Sequence, residues 1–286
     1  MFGQFIAIQP GSTPTSSLLL DVFPNANSAF SLRKLRNGYS GPCIRVRRAS
    51  DNAQRDIYFN SNLTVDTNAI AYFCGASNGF VSVWFDQSGN NKFLQMDTAT
   101  NQPQIYNGSA VLLESGKPTL YFDGVDNYME CLVDGNTGFG TPPVYSAVVL
   151  RVLETGVFGG IVTSKVAGAD NAPAQFYTDE NEYAISDAIT PGVSTTVIGG
   201  YDLFTACWET DGPDTKRLFI NSVKESDTLF TYNVGNVTGN TMGLIRGVDT
   251  TFGRVNIQEW VFWNQNLTDA QNIVRSDEIN SYYGMY

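Results

Sequence analysis

Trp84-Phe85-Asp86-Gln87-Ser88-Gly89-Asn90-Asn91-Lys92-Phe93-Leu94-Gln95 is where the chain passes from strand to turn and back. The run before the turn, Phe80-Val81-Ser82-Val83-Trp84-Phe85, alternates in the manner of a half-buried strand. Asp86 to Asn91 breaks it, because Ser, Gly and Asn favour local side-chain bonds or positive φ. Asp86, Ser88 and Asn90 fall at alternate positions around Gly89, a spacing that suits either oxygen ligands of calcium or Asx-turns bonding their own backbone. Asp123, Asp126 and Asn127 form a second loop of the same kind. Trp84, beside the first loop, is the ring best placed by sequence to face a sugar, with Gln87 among the polar groups next to it.

Composition narrows the chemistry. Aromatic residues are 13% of the chain, charged residues 16%, and glycine is frequent, which suits a β-sandwich with many turns. The 286 residues include no histidine. Histidine-based triads, histidine general bases and histidine-ligated zinc are thereby excluded, so any hydrolysis runs on carboxylates. Net charge is −11, but residues 1–55 hold seven basic residues against two acidic ones. The remaining chain is strongly acidic, which disfavours nucleic acid as a partner. The basic cluster of Arg33, Lys34, Arg36, Arg45, Arg47, Arg48 and Arg55 meets either an acidic partner or the chain's own acidic groups. Cys43, Cys74, Cys131 and Cys207 are scattered through apolar runs and read as buried thiols.

Along the chain, residues 1–20 read as a docking arm: an apolar strand carrying Phe2, Phe5, Ile6 and Ile8, a Pro/Gly/Ser/Thr linker, then Leu18-Leu19-Leu20. Met1–Ile8 has no basic n-region, so no signal peptide is expected there, and no stretch is long enough to span a membrane. The pattern predicts a short helix over Ala29–Arg36, a strand at Cys43–Arg48 and a helix at Thr67–Cys74 capped by Asp66 or Thr67. From Gln104 onward strand follows strand, among them Tyr145–Leu153, Gln175–Ser186, Leu203–Thr210 and Asn256–Asn264. Thr268-Asp269-Ala270-Gln271 is a capping box opening a closing helix, with Ala270, Ile273 and Val274 on its apolar face and Gly284 at its end.

These motifs carry a resemblance. "WFDQSGNNKFLQ" is similar to the "YDQSGN" segment of arabinofuranosidase B-type catalytic domains, a segment shared by concanavalin A-like, laminin-G-like jelly rolls, many of them from bacteriophages. "AFSLRKLRNGYSGPCIRVRRASDN" resembles the opening of the same domains, and Gly116-Lys117-Pro118 with Phe122-Asp123-Gly124-Val125-Asp126-Asn127-Tyr128 resembles a jelly-roll segment. Val255–Trp263 looks like the last strand. The resemblance implies an all-β, two-sheet jelly-roll sandwich with a small N-terminal α/β elaboration (21–103), a sandwich core (104–286) and a C-terminal helix. It places both Asp-rich loops at the sandwich rim.

Two functions follow from that resemblance. In the first, the chain is a bacteriophage virion structural protein without catalytic residues, made in the host cytoplasm. It would join other virion proteins and its own copies through the arm, and bind host-surface glycan, or serve architecture alone. Its ligand residues would be Trp84, Asp86, Gln87, Asn90, Asp123, Asp126 and Asn127, with calcium as the one cofactor in question. In the second, it is a glycoside hydrolase of arabinofuranosidase B type. Those enzymes use a Glu nucleophile and an Asp acid/base before the last strand, and Asp249 in Gly243–Thr250 is the corresponding residue. The acid-rich run Asp179-Glu180-Asn181-Glu182 offers Glu180 and Glu182 on one strand face, or reads as a hairpin tip. No segment matches the nucleophile region, and the first function is the expectation.

Overall fold

The computed structural model describes residues 18–131, 143–154, 159–166, 174–179, 182–186, 192–197, 200–209, 215–229, 240–244 and 252–286. The arm residues Phe2, Phe5, Ile6 and Ile8 lie outside them. In chain order the elements are α1 (Leu19–Val22), β1 (Ser28–Ser31), β2 (Ile44–Arg48), β3 (Gln54–Ile57), α2 (Thr67–Cys74), β4 (Asn78–Phe85), β5 (Phe93–Gln95), β6 (Gln104–Asn107), β7 (Leu113–Glu114), β8 (Lys117–Pro118), β9 (Leu120–Asp123) and β10 (Met129–Cys131). There follow β11 (Val144–Val152), β12 (Gly159–Val166), β13 (Ala174–Asp179), β14 (Glu182–Ser186), β15 (Gly192–Val197), β16 (Tyr201–Glu209), β17 (Thr215–Ile220), β18 (Val223–Leu229), β19 (Asn240–Leu244), β20 (Arg254–Trp263) and α3 (Asp269–Tyr283).

Antiparallel pairing arranges these strands as two layers. The first runs β18-β17-β16-β11-β20, with β1 and β9 sharing the far side of β20. The second runs β15-β14-β13-β12-β19-β10-β5-β4-β2-β3. β6 joins them at one corner, pairing with β4 and, through Gln104 and Tyr121, with β9. Val148, Phe204, Leu218 and Trp260 of the first layer and Val81, Trp84, Val162 and Tyr183 of the second meet in one buried core. The jelly-roll-like sandwich expected from the sequence is therefore present, as is the C-terminal helix. Residues 28–95, expected as an elaboration, supply strands to both layers.

Several local readings hold. α2 spans Thr67–Cys74, and Asp66 accepts from the Ala69 amide as its cap. Thr268 and Gln271 form the capping box of α3, and Gly284 ends it at φ +66°, where a Cβ would be strained. All four cysteines are free and buried.

Others are corrected. The predicted helix at Ala29–Arg36 is instead strand β1, paired with β20 from Ser28–Phe262 to Ser31–Glu259. Local propensity loses there to a long-range pairing that buries Phe30 against Trp84 and Trp260. The single strand predicted at Gln175–Ser186 is the antiparallel pair β13 and β14, with Asp179 opposite Glu182. The face of α3 is also different. It buries Asn272, Arg275, Ser276, Ile279 and Tyr283, leaving Ile273 and Val274 exposed. Polar partners on the sheet beneath explain this: Asn272 Oδ1 accepts from Thr205 Oγ1 and from Ser276 Oγ.

α3 covers the outer side of the first layer over a buried ion pair. Arg33 Nε and Nη2 donate to the two oxygens of Glu259 at 2.7 and 3.0 Å. Ser31 Oγ and Tyr283 Oη donate to the same carboxylate, and the guanidinium lies 4.7 Å from the Tyr282 ring centroid. Burial pulls the Arg33 pKa down, but the Glu259 charge and hydrogen bonds outweigh it and the net shift is upward. Two more members of the basic cluster pair with the chain's own acids, Arg45 with Asp56 and Arg48 with Asp51. Removing one partner of a buried, hydrogen-bonded pair leaves an uncompensated charge at a cost of about 3–5 kcal/mol. Glu259→Ala is therefore expected to lower unfolding free energy in urea by about that amount, whereas Asp51→Ala, in an exposed and solvent-screened pair, should leave it nearly unchanged.

Candidate functional site

The Asp86 loop is a brace. Asp86 Oδ1 accepts from the amides of Ala29 and Ser88 at 2.8 and 2.9 Å, and Oδ2 accepts from Ser88 Oγ at 2.6 Å. Gln87 Oε1 accepts from the Leu35 amide, while its Nε2 donates to the carbonyls of Ser31 and Arg33. Asn90 Nδ2 donates to the carbonyls of Ala26 and Asn27. Burial raises the Asp86 pKa, with the hydrogen bonds to Ser88, Ala29 and Lys92 acting against it. The carboxylate oxygens of Asp86 face N–H and O–H donors, so Asp86, Ser88 and Asn90 do not form the calcium cradle considered from the sequence.

Trp84 does not face a sugar. It is fully buried, with its ring 6.1 Å from that of Phe30. The reason is a β-bulge: β2 pairs Arg45 with Val83 but Val46 with Val81, so Ser82 is the extra residue. A one-residue shift flips every later side chain to the other face, and Trp84 joins Val81 in the core. Asp123 likewise closes an Asx-turn, accepting from the amides of Val125 and Asp126, and Asn127 Nδ2 donates to the Thr100 carbonyl.

The strand ends that flank the acid-bearing stretches meet at a different place. β12 begins at Gly159, which lies opposite Thr178 of β13 on one side. On its other side β19 pairs Leu244 with Val162, and Phe252 bridges Gly160 in parallel. A Cβ on Gly159 would stand 3.0 Å from both Gly253 Cα and Thr178 Oγ1, so a larger residue there would require these neighbours to give way. Asp179 and Glu182 follow Thr178, and the 245–251 run containing Asp249 lies in sequence between Leu244 and Phe252. Asp249 and Glu180 themselves are outside the described residues.

The surroundings of this end are aromatic and polar. β10 pairs Met129 with Leu244, bringing Tyr128 beside Phe252 at a ring separation of 5.8 Å. The Asp123–Asn127 loop adjoins it, with Gly124 against Arg254. Tyr183 is buried and donates to Asp202 Oδ2 at 3.0 Å, and its own pKa is driven well up by burial and then by the Asp202 charge. Strand alternation therefore directs its neighbour, the half-buried Glu182, to the outer face of the second layer. The sequence held the acid-rich run, but the pairing that brings its flanking strands beside those of residues 244 and 252 is non-local. Among the described residues no group of three or more Cys, Asp or Glu could hold a metal ion.

The architecture defines a β-sandwich, and comparisons with known proteins agree on the fold. The model of the family "Alpha-L-arabinofuranosidase B, catalytic" matches residues 24–141. An arabinofuranosidase complexed with arabinofuranosyl-alpha-1,2-xylobiose superposes with TM-score 0.64 at 13% identity, over 91% of this chain and 64% of that one. A GH54 a-l-arabinofuranosidase soaked with a cyclic sulfate inhibitor gives TM-score 0.63 at 13% identity over the same shares. A sialidase from Trypanosoma rangeli gives TM-score 0.51 at 12% identity, over 70% of this chain and 31% of that one. The chain thus spans about two thirds of the arabinofuranosidase structures it matches. No curated protein sequence matches it.

These matches overturn the expectation of a non-enzymatic phage virion component. The family model is that of a catalytic domain, and the arabinofuranosidase structures match over nearly all of the chain. The matched stretch 24–141 contains the Asp86 brace but neither Glu182 nor Asp249. Recognition from sequence thus fell on residues that hold the fold. The brace has its own test. Gln87→Ala leaves a buried amide and two carbonyls without their partner, at about 1–3 kcal/mol per lost donor or acceptor. We expect a lowered Tm in that variant, and no change in the Tm of the unmodified chain between calcium and chelator.

Proposed function

We propose that the chain is a carboxylate-based glycoside hydrolase of arabinofuranosidase type. The observation that supports this reading is that the strand ends flanking two acid-bearing stretches meet about Gly159, in a fold shared with arabinofuranosidases. Asp249 is the acid/base in this proposal, protonating the oxygen of the departing group. Glu182 attacks the anomeric carbon, and the arabinosyl–enzyme ester is then opened by a water that Asp249 deprotonates. The absence of histidine leaves carboxylates as the fitting groups for both steps. Tyr128 and Phe252 supply an apolar wall for the sugar. The substrate class follows the arabinofuranosidase likeness: a terminal arabinofuranosyl unit, as on a decorated xylo-oligosaccharide.

The test is hydrolysis of 4-nitrophenyl α-L-arabinofuranoside by the unmodified chain, Asp249→Asn and Glu182→Gln. Each variant should lose about 10²-fold or more in kcat with its Tm unchanged. Full turnover by both variants, or none by the unmodified chain, overturns the reading. A loss confined to Glu180→Gln would remove Glu182 from the nucleophile role and leave the location standing.

A further inference from the structure

Tyr183 and Asp202 make a polar contact between the two layers, behind the strand ends that meet about Gly159. Tyr183 stands opposite Thr178 of β13, and Thr178 opposite Gly159 of β12, so the three share one row across the second layer. Thr178 Oγ1 donates to the Gly159 carbonyl at 3.3 Å. From this row the Tyr183 side chain crosses to the first layer, its ring 5.3 Å from that of Phe204. Its hydroxyl donates to Asp202 Oδ2 near the start of β16.

Asp202 is itself held from the first layer. Its Oδ1 accepts from Asn221 Nδ2 at 2.9 Å. Asn221 Oδ1 accepts in turn from the Leu203 amide, and the Asn221 amide donates to the Leu203 carbonyl. Tyr183 and Asp202 are both buried, where a lost partner leaves a polar group unsatisfied. Burial, and then the Asp202 charge, drive the Tyr183 pKa well up, so its hydroxyl keeps the proton that it donates.

The ladder beside Tyr183 is irregular. β15 sets Val197 against Glu182 and Val193 against Ala184, so residues 194–196 stand against Tyr183 alone. A regular neighbour would fix the start of β14 through its backbone; here that ladder is locally disrupted and the side chain takes over the task.

We propose that Tyr183 and Asp202 are positioning residues for the acid-bearing run 179–182, with Asn221 holding Asp202 in place. The tie fixes the main chain one residue from Glu182, which strand alternation sends to the opposite face. Neither side chain touches the sugar. This role rests on the hydrolase reading. A reacting group displaced by about 1 Å can cost about 10²-fold in rate, so a tie at this point has kinetic weight.

The test measures kcat and KM on 4-nitrophenyl α-L-arabinofuranoside at a temperature where circular dichroism shows each variant folded. Tyr183→Phe should lose about tenfold or more in kcat with KM within about twofold of the parent, since the sugar-binding surface is untouched. Asn221→Gly removes the support of Asp202 at φ +52°, a conformation glycine accepts, and should lower kcat in the same way. Asp202→Asn keeps both contacts, because the amide oxygen accepts from Asn221 while the amide nitrogen donates to the Tyr183 hydroxyl. It should retain kcat within about threefold of the parent. Gln87→Ala, weakened at the distant brace, should keep the parent kcat. Parent-like kcat in Tyr183→Phe and Asn221→Gly overturns the proposal, as does an effect on KM alone. So does an equal loss in Gln87→Ala, which marks general destabilisation, or in Asp202→Asn, which marks the charge rather than the tie. If Tyr183→Phe does not fold, Asn221→Gly decides. No turnover by the parent chain overturns the hydrolase reading and this role with it, so parental activity separates the two failures.

Discussion

The Asp86-Gln87-Asn90 brace is the interaction on which the rest of the sandwich depends. β1 belongs to the first layer through β20, whereas Asp86 follows β4 of the second. The side chains of Asp86, Gln87 and Asn90 make six hydrogen bonds to backbone groups between residues 26 and 35. Gln87 alone occupies three backbone groups that lie beyond the regular ladders. A buried backbone group without a partner is costly, so the turn both ties the layers together and satisfies an irregular stretch that could not otherwise be buried. The Arg33–Glu259 pair adds a second tie, between the stretch after β1 and the middle of β20.

The brace also explains why a fold could be read from the sequence more readily than a site. The motif that carries the resemblance is structural, and its polar atoms point inward at neighbouring backbone. Asp, Ser and Asn at alternate positions present the same pattern whether their oxygens meet a cation or an amide. Burial decides between the two, and burial is a tertiary property. Trp84 makes the same point from another side. Its place next to the turn was plain in the sequence, but the extra residue Ser82 that turns it inward shows only in the pairing of β2 with β4.

What was legible was local or strongly patterned. The α2 cap at Asp66, the capping box of α3 and the alternating run of β4 all rest on residues within a turn or two of each other. What was not legible depended on partners distant in sequence. β1 looks helical until Phe262 to Glu259 are set beside it. The face of α3 looks apolar until Thr205 is set beneath Asn272. The acid-bearing stretches around residues 179–182 and 245–251 were each visible in the sequence, but that the strand ends flanking them meet across β12 shows only in the pairing.

The proposed function gives the two ends of the second layer different roles. One end carries the brace, and the other carries Gly159, Tyr128, Phe252 and the strand ends that flank the proposed acid-bearing stretches. A crystal structure with a bound arabinofuranose analogue tests this division most directly. The account predicts the sugar at the Gly159 end, with the carboxylates of Glu182 and Asp249 on either side of its anomeric carbon and about 5 Å apart, as retention requires. A sugar seated at the Asp86 turn, or carboxylates too far apart to reach one ring, would contradict it.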